Sequence, residues 1–261
     1  KNEDLPLKGI RILDLTTVVM GPYTTQILGD LGAEVIKIEE PNGDMTRYIG
    51  ASRNEQMSSL FLGANRNKKS ITLNLKEKMP KEALWKLIKS ANVFVHNIRP
   101  QKIYSLGFDP DSVIKENQNI VYCGLHGYAE EGPYGGKPAY DDVIQGQSGI
   151  AGTFIARDGS PSLVPSIVAD KSIGLLACTS ILAALIKALR TGHGSYLEVS
   201  MFEGMAGYTL VEHQHGDTFF PSIDKVGYPR LISKFRRPYK TQDGYLCMLA
   251  YTDKQWKNFW R

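Results

Sequence analysis

The chain has 261 residues, 31 Lys and Arg against 27 Asp and Glu, and a formal net charge of +4. Hydrophobic residues make up 42% and charged residues 22%, proportions that exclude disorder for the bulk of the chain, and so mild a charge does not imply a nucleic-acid protein. The 3 cysteines lack CxxC spacing and cannot all pair, which fits a reduced, cytoplasmic setting.

In chain order, Gly9 to Leu15 reads as a strand. Gly21-Pro22 opens a helix that runs to about Leu31 and is stopped by Gly32. Glu34 to Glu39 is a second strand, completing a βαβ unit and predicting a parallel sheet. Ser70 to Leu75 alternates like a strand. Pro80 to Ala91 carries helical apolar spacing at Leu84, Leu87 and Ile88. Val93 to Val95 is a short buried strand, Asp109 to Glu116 a short helix, and Ile120 to Cys123 another strand. Strands alternating with helices predict an α/β sheet layered by helices.

After Leu125 the texture changes. Residues 127–140 are rich in Gly and Pro and predict a long ordered loop or lid. Arg157 to Ser160 reads as a hairpin-type turn. Asp170 to Arg190 is a long apolar helix closed by Gly192 and Gly194. Its apolar stretch from Ile173 to Leu189 is broken by Thr179, Ser180 and Lys187, so it reads as a buried helix rather than a membrane span. Tyr196 to Ser200 is a strand and Phe202 to about His213 a helix. The expected division is a large α/β domain over 1–215, a linker over 216–237 rich in Pro, Gly and Arg, and the start of a smaller domain over 238–261.

Several site types are disfavoured. The first turn, Thr16 to Pro22, lacks the paired glycines of a dinucleotide fingerprint, although Glu39 ends the second strand as a ribose-binding acid would. No phosphate-binding GxxxxGK[ST] loop occurs. Glu212, His213, His215 and Asp217 read as a polar helix end, and no metal site is expected. His96 and His126 read as satisfied histidines at strand ends. Arg66-Asn67-Lys68-Lys69, with Lys76, either solubilises a loop and a strand end or supplies charge for a phosphate-bearing ligand. Asp170 precedes an apolar helix and reads as its N-cap. The same place also exposes a carboxylate that could serve as nucleophile or general base.

Taken together, Leu7 to Leu15, Gly21-Pro22, Leu28 to Glu39, Gly43 to Arg47, Asn67 to Lys76, Val95 to Pro100, Gly127-Tyr128, Gly132-Pro133-Tyr134, Tyr140 to Gln145, Ala169-Asp170 through Leu185 and Thr191 to Gly194 resemble the class III (CaiB/BaiF-type) coenzyme A-transferase family. The resemblance implies a CoA-binding Rossmann-like large domain with a parallel sheet. It also implies a smaller α+β domain, incomplete here, and an interlocked homodimer. The chain then reads as a piece of a longer protein, stopping inside the small domain. Asp170 falls on the family's nucleophile. Val18, Leu73, Lys76, Asn97, Ile98, Arg99, Lys137 and Tyr140 fall on positions that contact CoA, with Lys76 pairing a phosphate and Asn97 bonding the pantetheine arm or a phosphate. The oxyanion donors are expected at Gly146 to Gly149.

The implied activity is transfer of coenzyme A from an acyl-CoA to a carboxylic acid. The implied substrates are small molecules, with no tightly bound cofactor, no nucleic acid and no membrane. Val19 replaces a Gln of the formyl-CoA:oxalate members, and Pro229 to Thr241 lacks their glycine run, which argues against that substrate pair. Ala139-Tyr140-Asp141 lacks the His of the related 2-methylacyl-CoA racemases, which leaves racemisation as the alternative activity. CoA binding without turnover is the alternative from another class.

Overall fold

The computed structural model describes residues 4–261. The expected start forms from β1 (Arg11–Leu15), α1 (Met20–Asp30) and β2 (Glu34–Glu39). A 3-10 turn (Met45–Tyr48) and α2 (Ser59–Asn65) lead to β3 (Lys68–Thr72), α3 (Lys78–Ile88), β4 (Val93–His96), α4 (Pro100–Leu106), α5 (Pro110–Glu116) and β5 (Val121–His126). Beyond the glycine-rich stretch come α6 (Asp141–Gln147), α7 (Ile155–Asp158), α8 (Val168–Thr191), β6 (Ser195–Ser200) and α9 (Met201–His213). The short strands β7 (Tyr239–Lys240) and β8 (Tyr245–Leu246) and helix α10 (Asp253–Phe259) follow.

The first six strands form one sheet in the order β3-β2-β1-β4-β5-β6, with every neighbouring pair parallel. This is the doubly wound order, and the strand order reverses between β1 and β4. Ile12 lies between Val35 and Val93 in register, and Leu15 beside His96. Interior parallel strands are covered on both faces, so they are apolar almost throughout; β4 and β5 are buried along their whole length. Leu13, Leu84, Ile88, Phe94, Phe108, Val113 and Tyr122 pack into one cluster on one side of the sheet. The Tyr122 hydroxyl there donates to the Phe108 carbonyl at 2.8 Å, which satisfies the polar end of an otherwise apolar side chain.

The structure corrects three boundaries. β3 begins at Lys68 rather than Ser70, because its pairing with β2 starts at Val35–Lys68. The turn expected at 157–160 is the end of α7, where Gly159 adopts φ +79 and donates to the Ile155 carbonyl at 2.8 Å. Helix α8 begins at Val168, not Asp170, and is 24 residues long, with an 18-residue stretch of mean hydropathy 2.0. By length and composition it could cross a membrane. Its Ile173, Ala177, Ile181, Ala184 and Leu185 are nevertheless buried, in a helix packed against α1, β5 and β6.

The chain divides into two compact units, one of residues up to Ser148 with Val164–Tyr208, the other of Gly149–Leu163 with Thr209–Arg261. The first holds the sheet. In the second, β7 pairs antiparallel with β8, the Arg230 guanidinium lies 3.7 Å from the Tyr251 ring centroid, and Thr252 with Gln255 forms a capping box on α10.

Candidate active site

β1 runs into the turn Thr16 to Val19, and α1 starts hard against it. A Cβ on Gly21 would lie 2.3 Å from Thr16 Cβ, so only glycine permits this approach. Val18 adopts φ 71, a left-handed conformation that a β-branched residue takes only where its surroundings enforce it. Here they do. The Asn97 side chain accepts from the Thr17 amide at 3.0 Å and donates to the Thr17 carbonyl at 2.8 Å. The Val18 amide donates to Asp44 Oδ1 at 3.3 Å, and Lys37 Nζ donates to the Thr16 carbonyl at 2.7 Å.

Under the turn lies a buried ionic network. Asp14 takes Lys68 Nζ at 3.0 Å, Thr25 Oγ1 at 2.6 Å and the Thr16 amide at 2.9 Å. Lys37 pairs with Asp44 at 3.1 Å. Burial by itself would raise the Asp14 carboxyl, but Lys68 and Lys37, with the two threonine hydroxyls, hold it down at about 2. The basic run at 66–69 is therefore not a phosphate site. Arg66 pairs with Asp30, Lys68 with Asp14 and Lys69 with Glu34. Glu39 is likewise spent, on Arg47 at 2.6 Å and Ser70 at 2.5 Å, and does not stand free for a ribose.

Asp170 is not the cap of α8. Ile167 occupies that position and offers no side-chain bond, while Asp170 is the third residue of the helix. Its backbone N–H, one of the donors a helix start leaves unpaired, is taken instead by Asp141 Oδ1 at 2.9 Å. The Asp170 carboxyl is pushed up to about 6, first by burial and then by the Asp141 carboxylate, with the Met20 backbone amide opposing. No salt bridge to Asp170 occurs among the described residues.

Asp170 opens onto a cleft of about 220 Å³ lined also by Val18, Asn97, Arg99, Lys137 and Tyr140. A second cleft of about 780 Å³ is lined by Leu73, Lys76, Ile98 and Lys102. Thr17, Asn97 and Arg99 line both. Both lie beyond the carboxyl ends of β1 and β4, at the switch point where α/β sheets take ligands. All nine residues singled out from the sequence thus line one cleft or the other. Asn97 differs from expectation, since both ends of its amide are spent on the Thr17 backbone. Of the expected oxyanion donors, the amides of Gly146 and Gln147 belong to α6 and the Ser148 amide donates to the Ile144 carbonyl at 2.9 Å, so these three are engaged within the helix and its end.

Three contributors were not assigned to the site from the sequence. Met20 lines the Asp170 cleft from the start of α1. Asp141 reaches Asp170 across 29 positions, a separation with no local signature. His126, at the end of β5, also lines the cleft and bonds Glu130 at 3.2 Å. His126, Glu130 and Glu198 carry ligand-type atoms within 4.8 Å of one another. Those carboxylates are already engaged: Tyr104 and Tyr196 donate to Glu130 at 3.2 Å, and the Glu130 amide donates to Glu198 at 2.6 Å. His96 stays neutral near it, its pKa lowered to about 3 by burial and then by His126.

Comparison with known proteins fits this geometry. Residues 7–261 match the family described as CoA-transferase family III. A probable fatty acyl-CoA transferase of Mycobacterium tuberculosis is 32% identical over 98% of this chain and 68% of its own length. The succinyl-CoA:glutarate CoA-transferase of Mus musculus is 35% identical over 96% of this chain and 58% of its own. A solved CaiB/BaiF family protein from Brucella suis superposes with TM-score 0.85 at 29% identity, covering 98% of this chain and 69% of that one. The chain thus spans between 58% and 69% of these three relatives.

Proposed function

The chain belongs to CoA-transferase family III, and on that premise we propose that it moves coenzyme A from an acyl-CoA donor to a carboxylic acid acceptor through Asp170. The observation that carries this reading is a half-buried carboxyl, without a salt bridge among the described residues, opening onto a cleft that shares its wall with a larger one. Elevated basicity makes a carboxylate a better nucleophile. The larger cleft offers the apolar Leu73 and Ile98 to the pantetheine arm and Lys76 and Arg99 to phosphates, while Lys102 on the same wall is paired with Glu40 at 3.0 Å.

In this reading an Asp170 carboxylate oxygen attacks the thioester carbonyl. The carbon–sulfur bond breaks, CoA leaves as thiolate, and a mixed anhydride forms. The thiolate then attacks the aspartyl carbonyl, releasing the donor acid and giving an aspartyl-CoA thioester. The acceptor carboxylate attacks that carbonyl, expelling the thiolate again. Thiolate attack on the acceptor's carbonyl yields the new acyl-CoA and free Asp170. No proton is consumed, and the thioester's free energy is kept. The Met20 amide, beside the Asp170 carboxyl, is a donor for the tetrahedral oxyanion. The interlocked homodimer and the cytoplasmic site of action belong to the same proposal.

Succinyl-CoA and glutarate, the pair named for the mouse relative, make the first test. Mass spectrometry should find a CoA adduct on Asp170 and glutaryl-CoA in solution. Asp170→Asn should lower turnover by roughly 10³-fold or more. Undiminished transfer by that variant would overturn the assignment. Deuterium wash-in at C2 of a 2-methylacyl-CoA without acid exchange would put racemisation in its place.

A further inference from the structure

We propose that Asp141 is the positioning residue of Asp170, a cap supplied from a neighbouring helix that fixes the nucleophile's backbone and faces its carboxyl with a like charge. The inference rests on the reading of Asp170 as nucleophile. Three observations carry it.

Helix α8 begins without a cap of its own, since Ile167 has no polar side chain to offer. Asp141, at the first position of α6, fills that role: its Oδ1 accepts from the Asp170 amide at 2.9 Å. A borrowed cap ties the nucleophile to a second element, which an ordinary N-cap does not do.

Asp141 is itself held. It is 6% exposed, and its Oδ2 accepts from Gln145 Nε2 at 2.6 Å. Gln145, fully buried one turn later on α6, accepts from the Val164 amide at 2.8 Å through Oε1, and its Nε2 also approaches the Ser166 carbonyl at 3.2 Å. Asp141 and Gln145 therefore grip both the nucleophile and the segment that leads into α8. Both oxygens of Asp141 are engaged by neutral donors, so neither bond neutralises its charge.

That charge bears on the Asp170 carboxyl. The other groups on the cleft do not cancel it by pairing with Asp170. Lys137 Nζ lies 4.5 Å from the Tyr134 ring centroid and His126 bonds Glu130, while Arg99 and Tyr140 line the wall without a bond to Asp170. On α8 itself, Lys171 Nζ donates to Ser166 Oγ at 2.7 Å. From α1 only the Met20 backbone opposes Asp141. The arrangement keeps a basic carboxylate at a fixed place, the two properties an attacking group requires.

The test is an NMR titration of the 261-residue chain labelled with carboxyl-¹³C aspartate and ¹⁵N, with Asp170 assigned by its loss in Asp170→Asn. The wild-type carboxyl should titrate near 6. In the near-isosteric Asp141→Asn the midpoint should fall by roughly one pH unit, as removal of an adjacent like charge requires. In Asp141→Ala the midpoint should fall likewise, and the Asp170 amide proton should also move upfield as its hydrogen bond is lost. An unmoved midpoint in both variants, or an unmoved amide in Asp141→Ala, would overturn the proposal. In the transfer assay, Asp141→Ala should lose roughly tenfold to hundredfold in kcat with KM for the acyl-CoA unchanged. The titration needs no turnover. If Asp170→Asn still transfers CoA, the assignment of Asp170 fails, while the titration separately decides whether Asp141 governs it.

Discussion

Asp14 and Asp170 are the same side chain in two settings that drive it in opposite directions. Burial disfavours the charge on both. Beneath the first turn, Lys68 and Lys37 outweigh burial and Asp14 stays ionised at about 2. At the start of α8, the charge that acts on the carboxyl is that of Asp141, which adds to burial, and Asp170 rises to about 6. The partner, more than the depth, separates a carboxylate that holds a turn from one poised to react. The two regions also depend on each other, because the network around Asp14 fixes the turn whose Val18, with Met20 at the start of α1 just after it, lines the Asp170 cleft.

The largest expected effect on stability breaks the first half of this contrast. Asp14→Ala leaves the Lys68 ammonium buried without its carboxylate, and should cost about 3–5 kcal/mol in urea unfolding. A loss under about 1 kcal/mol would mean that the ionic network does not hold the turn. The second half predicts the opposite sign. Because the folded Asp170 carboxyl lies above its ordinary 3.8, ionising it destabilises the native state. The penalty is absent below about pH 4 and complete once the pH has passed 6. About two units would correspond to about 3 kcal/mol, reduced by partial exposure to roughly 1–2 kcal/mol. Asp170→Asn should therefore be more stable than wild type at pH 8 by that amount and equal to it at pH 3.5, in unfolding curves at both pH values. For Asp14 the window is reversed: its contribution is present above 3.8 and lost as the pH falls through about 2. The smallest effect concerns the turn. Val18→Gly relieves a left-handed conformation, offset in part by the entropy of glycine, and should raise stability by up to about 1 kcal/mol. The same change at Val35, buried in β2, should lower the melting temperature.

Much of the sheet was legible because parallel strands and amphipathic helices write their periods directly into the chain. β1, α1, β2, α3, β4, β5 and β6 all lie where that pattern placed them, within a few residues. The short helices α2, α4 and α6 were not legible, since seven residues give little periodicity, whereas the equally short α5 was announced by its Asp109-Pro110 start. That residues 66–69 stayed open between two readings has the same kind of cause. A basic run looks solvated or ligand-seeking in sequence, and only strand register reveals that Lys68 points at Asp14.

The sequence alone determined a parallel α/β sheet layered by helices and, through the family resemblance, named Asp170 and the candidate residues around it, because these rest on local pattern and on motifs kept in order. Tertiary structure decided the rest: which cations are spent internally, that Asn97 clamps a turn, and that Asp141 rather than a local side chain caps the helix at Asp170. Those are contacts across tens of residues. Their energies depend on burial and distance, which a linear order of side chains does not contain.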